Sequence, residues 1–168
     1  MKSRLFLLTI LTSTLLLGFK SSDSTNTITW YNWDEAYSKA VAENKIILLE
    51  VVTAVCPYCV KMDNETYKDP KIIQLINQNF VPCKLNPKIE KDNYKLGDQT
   101  VNGTQLVNAL SQNSQNAELS KLVFPTTIFY FPVEKQSFVE PGYQPADVYI
   151  YMLYNCVKYK EKLAKKKK

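Results

Sequence analysis

The sequence has 168 residues, of which 45% are hydrophobic and 12% aromatic, and this composition excludes an intrinsically disordered chain. Lysine and arginine number 21 against 16 acidic residues, which gives a formal charge of +5, and histidine is absent. Without histidine, Ser–His and Cys–His nucleophile pairs, histidine zinc sites and the Cys-x-x-Cys-His haem attachment are excluded. The chemistry that remains runs on cysteine, carboxylate, lysine or tyrosine.

Residues 1–19 have the pattern of an export signal. Lys2 and Arg4 precede an apolar core at 5–17, which is the order of charged and apolar regions in a signal peptide. The core is short for a membrane span and is interrupted by hydroxyl residues, but an uncleaved N-terminal anchor is the alternative. Both interpretations predict a periplasmic or secreted domain, outside the cytoplasm, where disulfides persist.

Composition divides the rest of the chain into three parts. A polar linker is predicted at 20–27, a single domain at 28–162 and a basic tail at 163–168. The stretch 158–168 holds seven lysines and one glutamate, so the positive charge is concentrated at this end. Such a stretch is typical of a solvated helix end, and weak contact with an anionic membrane surface is the sharper alternative. Nothing in the charge pattern indicates a nucleic-acid surface.

Strands and helices are predicted to alternate in an α/β arrangement. Helices follow from apolar residues at helical spacing after a capping residue or a proline, and strands follow from short apolar or β-branched runs. In chain order we predict a strand at 28–30, a helix capped by Asn32 or Asp34 and ending at 44, a strand at 46–52, a helix at 57–67, a helix from 70, a strand at 80–85, a loop at 86–103, a helix capped by Thr104 and ending at 119, a strand within 123–133, a strand at 136–140 and a helix at 147–162. The continuous apolar run at 46–52 suits a strand covered on both faces, whereas Pro82 disfavours a central position for its strand.

The functional prediction depends on the motif Cys56-Pro57-Tyr58-Cys59. Pro57 suits the first position of a helix, because its ring presets φ and its missing N–H would have no partner there. The Cys56 sulfur then lies at a helix N-terminus, where unpaired N–H groups and the helix dipole favour a thiolate. Cys59 lies one turn further on, placed to attack a mixed disulfide formed at Cys56. A strand that leads into such a motif predicts thiol–disulfide chemistry, with a metal pair or a structural disulfide as alternatives.

Three other residues are candidates for chemistry. Glu50 interrupts the apolar strand, and buried carboxylates are rare unless they have a task or a partner. It is either at an edge open to water or a buried proton acceptor beside the cysteines. Cys83 and Cys156 make the cysteine count even, and they form either a second disulfide or two buried free thiols.

The order of elements resembles the thioredoxin-like family, and in particular its exported thioredoxin-related members. The resemblance implies a thioredoxin fold: a central mixed β-sheet flanked by helices, with the CxxC at the N-terminus of a helix. Cys56 and Cys59 match the family's redox pair, and Glu50, six residues earlier, matches the buried acid that shuttles a proton for the second cysteine. The stretch Phe124-Pro125-Thr126 matches the proline, cis in the family, that faces the disulfide and presents backbone groups to a docking peptide.

The sequence also departs from the family pattern around the motif. Pro57-Tyr58 replaces the Gly-Pro of thioredoxin, and Val55 stands where a tryptophan is usual. Tyr58 stabilises a thiolate less than the histidine of strongly oxidising relatives does, and a nearby Glu50 raises thiol pKa values. The resemblance therefore implies an intermediate to reducing potential.

The resemblance implies an extracytoplasmic thiol–disulfide oxidoreductase that reduces disulfides of exported proteins. Cys56, Cys59 and Glu50 would be catalytic; the substrate-binding residues would be Pro57, Tyr58, Phe124, Pro125 and Thr126. No cofactor or metal is required, and a membrane electron donor or acceptor is the implied partner. Two alternatives use the same fold: a disulfide oxidase or isomerase with the same residues, and a non-catalytic module that binds copper or protein.

Overall fold

The computed structural model describes residues 26–88, 93–112 and 123–166. A mixed β-sheet lies at its centre with helices on both faces, as the sequence predicts. The strands are β1 (Ile46–Val51), β2 (Phe80–Leu85), β3 (Tyr94–Leu96), β4 (Gln99–Val101), β5 (Thr126–Phe131) and β6 (Gln136–Pro141), and the helices are α1 (Trp33–Ala42), α2 (Pro57–Asn64), α3 (Pro70–Asn79), α4 (Gly103–Gln112) and α5 (Ala146–Lys166). No helix in these ranges is long and apolar enough to cross a membrane.

The main sheet has the strand order β2-β1-β5-β6. β1 runs parallel to β2 and antiparallel to β5, and β5 runs antiparallel to β6. All six residues of β1 are buried, which fits a strand with neighbours on both sides and helices on both faces. The parallel pairing of β1 with β2 requires a crossover, and α2 and α3 provide it.

Residues alternate along β1 between two apolar cores on opposite faces of the sheet. Ile47, Leu49 and Val51 point into the core closed by α1 and α4, whereas Ile46 and Leu48 point into the core closed by α2, α3 and α5. The helical residues of the first core are Trp33, Ala36, Ala40, Leu106, Val107 and Leu110. Those of the second core are Met62, Ile72, Ile76, Tyr149, Leu153 and Cys156.

The predicted strand at 28–30 is wrong. In its place Tyr31 makes a single parallel bridge to Cys83, with its N–H donating to the carbonyl of Pro82 at 3.0 Å. In a strand, the N–H and the C=O of one residue point to the same side. Since the C=O of Pro82 faces the outer edge of β2, an N–H at this position would face that edge too, but proline has none. The outer edge of β2 therefore has no donor at Pro82 for a longer ladder. β2 lies at the edge of the sheet, consistent with the position that Pro82 indicates.

The stretch at 86–103, predicted as a loop, contains the hairpin formed by β3 and β4. Gly97 has φ 62°, which allows the two-residue turn between these strands. The hairpin is fixed to the start of α1: Trp33 Nε1 donates to the carbonyl of Lys95 at 2.7 Å, and Lys95 N–H donates to Asp34 Oδ1 at 2.9 Å. Three-residue strands of mixed polarity give too weak a pattern to be found from sequence.

Several helix boundaries differ from the prediction. Of the two candidate caps of α1, Asn32 is the one used, since its Oδ1 accepts from the N–H of Glu35. α4 is capped by Asn102 instead of Thr104, because Asn102 and Gln105 bond reciprocally to each other's backbone N–H groups.

The other differences concern where helices end. α2 ends at Asn64 and a 3₁₀ turn follows at Thr66–Lys68. α5 continues to Lys166, into the predicted basic tail. The predicted export signal at 1–19 and the last turns of the predicted helix ending at 119 lie outside the described residues.

Cys83 and Cys156 are free thiols that point into different cores, on opposite faces of the sheet. Of the two possibilities predicted for these cysteines, a second disulfide or two buried free thiols, the structure has the buried free thiols. Burial raises the pKa of both thiols, and the thiolate is the reactive form.

We therefore expect the native oxidised protein to present no reactive thiol to a disulfide reagent such as DTNB. Unfolding in guanidinium chloride should release two thiols per chain, and Cys156→Ala should reduce this number to one. Rapid reaction of a thiol in the native protein would contradict the burial of both side chains.

Candidate active site

The Cys56–Cys59 disulfide lies at the N-terminus of α2. Cys56 is the N-cap residue in an extended conformation, and Pro57 occupies the first turn. The N–H of Cys59 donates to Cys56 Sγ at 3.1 Å. A donor of this kind, together with the helix dipole, stabilises negative charge on the Cys56 sulfur when the disulfide is reduced.

Exposed apolar side chains surround the disulfide, which is itself recessed. Cys56 and Cys59 are 8% and 6% exposed, whereas Val55 and Tyr58 are 91% and 60% exposed. Val60, which follows the motif, is also exposed. Apolar groups held open to water next to a reactive bond are typical of a surface that binds another molecule.

Glu50 is fully buried in β1, and within the described residues its carboxylate oxygens make no hydrogen bond of normal geometry. Two residues after Leu48 in a strand, it points to the face of the sheet that α2 covers. The predicted alternative for Glu50, an edge position open to water, is therefore wrong, because β1 is an internal strand with a neighbour on each side. The register places Lys84 of β2 and Thr127 of β5 on either side of it.

The pKa of Glu50 is raised to about 7, mainly by burial of the carboxyl group. Lys84 lowers this pKa and Asp63 raises it. A carboxyl group with a pKa near neutral pH can both take up and release a proton under physiological conditions. The Glu50 side chain thus has the properties of a proton acceptor.

Lys84 is a site residue that sequence reasoning missed. Its Nζ lies 3.4 Å from Glu50 Oε2, donates a hydrogen bond to Asp63 Oδ1, and lies over the Trp30 ring at 4.4 Å. A lysine inside an otherwise apolar strand was the available signal. Its partner could not be identified from sequence, because the pairing of β1 with β2 spans more than thirty residues.

Three hydroxyl groups form a buried polar chain next to Glu50. Tyr67 Oη lies 3.1 Å from Tyr149 Oη, and Tyr149 Oη donates to Thr127 Oγ1 at 3.5 Å. Burial raises the pKa of Tyr67 and of Tyr149, and the charge of Glu50 raises both further. Both phenols therefore stay neutral while Glu50 titrates.

The Phe124–Pro125 peptide bond is cis. Thr126 begins β5 opposite Val51, the last residue of β1, so Pro125 lies at the end of the sheet where the chain leaves toward Cys56. The Thr126 side chain is buried and its hydroxyl donates to the carbonyl of Val123. A docked molecule would therefore meet the backbone of this turn and not the threonine hydroxyl.

Tyr143 is a second residue whose place near the site was not predicted. Its ring centroid lies 6.4 Å from that of Tyr58, and Lys61 Nζ lies 4.5 Å above the ring. Its hydroxyl donates to Glu65 Oε2 at 2.6 Å. The exposed Tyr58 ring is thus supported from the loop before α5.

No group of three or more cysteine or acidic side chains within 26–88, 93–112 and 123–166 is arranged to hold a metal ion.

A CxxC disulfide at the start of the helix that follows the central strand, in a sheet of order β2-β1-β5-β6, defines a thioredoxin-fold protein. The family model Thioredox_DsbH, described as "Protein of unknown function, DUF255", matches residues 12–158, and the chain belongs to this family. The predicted thioredoxin-like membership and fold class are confirmed.

Two solved structures share the fold. A thioredoxin from Thermus thermophilus superposes with a TM-score of 0.56 at 20% identity, covering 79% of this chain and 89% of the other. A protein described as "DsbH Oxidoreductase" superposes with a TM-score of 0.54 at 14% identity, covering 79% and 85%. At these identities the likeness concerns the fold.

Among curated proteins, spermatogenesis-associated protein 20 of Rattus norvegicus is 42% identical over 68 residues, which are 40% of this chain and 9% of the relative. The chain therefore matches about a tenth of that protein's length. The match places a related segment inside a much longer polypeptide.

The buried carboxyl group should make stability depend on pH. Since the pKa of Glu50 rises from its ordinary value of 4.5 to about 7 on folding, its contribution to stability is full below pH 4.5 and lost as pH rises through about 7. At about 1.36 kcal/mol per pKa unit, the loss is about 3 kcal/mol. Glutamine resembles the neutral carboxylic acid and does not ionise. Well above pH 7 we therefore expect the free energy of unfolding of Glu50→Gln to be higher than that of the wild type by about this amount.

Urea unfolding of oxidised wild type and oxidised Glu50→Gln, below pH 4.5 and well above pH 7, measures this difference in free energy of unfolding. Below pH 4.5 the two proteins should be nearly equal in stability. A difference that is the same at both pH values would contradict a raised Glu50 pKa.

Proposed function

We propose that the protein is an extracytoplasmic thiol–disulfide oxidoreductase that reduces disulfides of exported proteins. The Cys56–Cys59 disulfide at the start of α2 is the observation that carries the proposal. The thioredoxin fold and the membership of the Thioredox_DsbH family support thiol–disulfide chemistry. The buried Glu50 behind the motif adds a group that can accept a proton.

In the first step the Cys56 thiolate of the reduced protein attacks one sulfur of a client disulfide. A bond forms between Cys56 and the client, the client S–S bond breaks, and the other client sulfur leaves as a thiolate that takes a proton from water. The donors at the start of α2 keep Cys56 ionised and therefore nucleophilic.

In the second step Cys59 transfers its proton to Glu50, directly or through water, and attacks Cys56 Sγ. The Cys56–Cys59 bond forms, the mixed disulfide breaks, and the second client thiolate leaves and is protonated. Two electrons have then passed from the dithiol to the client. A dithiol donor at the membrane would return two electrons to the pair, and one proton would go to Cys59 while Cys56 is left as the thiolate; the donor itself is oxidised to a disulfide.

The client would dock across the exposed side chains at the motif. Pro57 and Tyr58 are exposed, and Tyr58 would supply apolar contact. The backbone of the turn formed by Phe124, Pro125 and Thr126 would bind an extended client segment in the manner of an added strand.

The pattern of residues 1–19 supports export of this domain. The lysines at the end of α5 would add a weak attraction to an anionic membrane surface, where the electron donor is expected.

A turbidity assay of insulin reduction with dithiothreitol as electron donor tests the activity. The wild type should accelerate reduction, and Cys56→Ser should return it to the rate of dithiothreitol alone, because the nucleophile is lost. Cys59→Ser, reduced and then freed of dithiothreitol before it is mixed with insulin, should accumulate a mixed disulfide between Cys56 and the substrate, visible on a non-reducing gel. Equal rates with wild type and Cys56→Ser would contradict catalysis and favour a module that only binds.

The equilibrium reduction potential of the Cys56–Cys59 pair tests the direction of electron flow. In defined glutathione or dithiothreitol buffers, we expect a value near or below ~−230 mV, which suits a reductase supplied by a membrane donor. A value near or above ~−180 mV would contradict reduction and favour disulfide formation or isomerisation by the same residues.

A further inference from the structure

Lys84 lies between two carboxyl groups that differ in exposure and in the contact they make. The Asp63 side chain is 43% exposed and accepts a hydrogen bond from Lys84 Nζ. Glu50 is fully buried, and Lys84 Nζ forms an ion pair with it, 3.4 Å from Oε2. The ammonium therefore contacts both carboxylates, and its contact with the outer one, Asp63, is the shorter.

The backbone holds these three residues in fixed relation. Lys84 is the register partner of Glu50 across β1 and β2. Asp63 lies four residues after Cys59 in α2, on the same face of the helix and one turn further along. The Trp30 ring at 4.4 Å confines the ammonium from another direction.

We propose that Asp63 is a positioning residue, which draws the Lys84 ammonium outward and so leaves Glu50 able to take the proton of Cys59. The proposal rests on the proposed function, in which Glu50 accepts that proton. In this proposal α2 carries the two cysteines and also the residue that positions the Lys84 ammonium.

The chemical reason is that a general base needs a pKa that is neither too low nor too high. A lysine bonded directly to Glu50 would keep the carboxylate ionised and make it a weak base, whereas burial without any lysine would keep it protonated. A base is most effective when its pKa lies near the ambient pH. Asp63, by sharing Lys84, holds Glu50 between these extremes.

The other groups around Glu50 do not supply this balance. α2 carries Cys59, which is disulfide-bonded in the oxidised protein, besides Asp63. The 3₁₀ turn contributes Tyr67 and α5 contributes Tyr149, both neutral phenols, and Thr127 of β5 has no charge. Lys84 and Asp63 are thus the charged neighbours that act on the Glu50 carboxyl group.

The test is an NMR titration of the Glu50 side-chain carboxyl in oxidised protein labelled with ¹³C-glutamate, assigned by loss of its signal in Glu50→Gln. In Asp63→Asn we expect the midpoint to fall by about one pH unit, because Lys84 is free to bond to Glu50. Glu43→Gln is the matched control. It removes an exposed carboxylate that also pairs with lysine, beyond the opposite end of β1, and should leave the midpoint unchanged.

Lys84→Met separates positioning from direct charge repulsion, and methionine retains much of the packing against Trp30. In this background Asp63→Asn should shift the Glu50 midpoint by less than half as much as in the wild type. An unchanged midpoint in Asp63→Asn, or an equal shift with and without Lys84, would overturn the proposal.

A kinetic readout connects the positioning to the reaction. The pH at which resolution of the mixed disulfide by Cys59 is half-maximal should fall in Asp63→Asn by the same amount as the NMR midpoint. A rate profile that stays in place while the NMR midpoint moves would overturn the link to Cys59. Because the titration uses oxidised protein without turnover, a missing shift contradicts the role of Asp63, whereas absence of Cys56-dependent insulin reduction contradicts the proposed function.

Discussion

A carboxyl group in the central strand of the sheet is the constraint on which the site depends. β1 is covered on both faces and paired on both sides, so Glu50 has no access to water at its own position. Ionising a carboxyl group in such a place is costly unless a cation is near. The neighbouring edge strand supplies Lys84, and the 3₁₀ turn and α5 supply neutral hydroxyl groups. The same strand leads toward Cys56. One segment of chain therefore carries both the buried core residues of β1 and the carboxyl group of Glu50.

Local sequence signals accounted for the fold and for the position of the Cys56–Cys59 motif at the start of α2. The apolar run of β1, Pro57 at the start of α2 and the spacing of Cys56 and Cys59 each act within a few residues, so the pattern and the structure agree. Lys84 and Asp63 were missed because they meet only after β2 has paired with β1, which no local pattern encodes. The prediction of a strand at 28–30 was wrong because it too depended on a distant partner. Pro82 in β2 lacks an N–H, and the pairing with this segment is limited to the one bridge between Tyr31 and Cys83.

The comparisons and the site address different levels of function. Family membership and the superposition on a thioredoxin establish the fold. The rat relative contains the similar segment within a chain about ten times longer than the match. In the proposed oxidoreductase, the direction of electron flow would depend on the residues around the disulfide, namely the Pro57-Tyr58 dipeptide, the exposed Val55 and the buried Glu50.

The two remaining cysteines have a consequence for the fidelity of electron transfer. A mixed disulfide can be resolved by any thiol that reaches it, and a competing internal thiol would divert it into a wrongly bonded form of the protein. Cys83 and Cys156 are separated by the full thickness of the sheet and sealed in different cores. The chain thus carries four cysteine sulfurs, but the fold leaves Cys59 as the one internal exchange partner of Cys56.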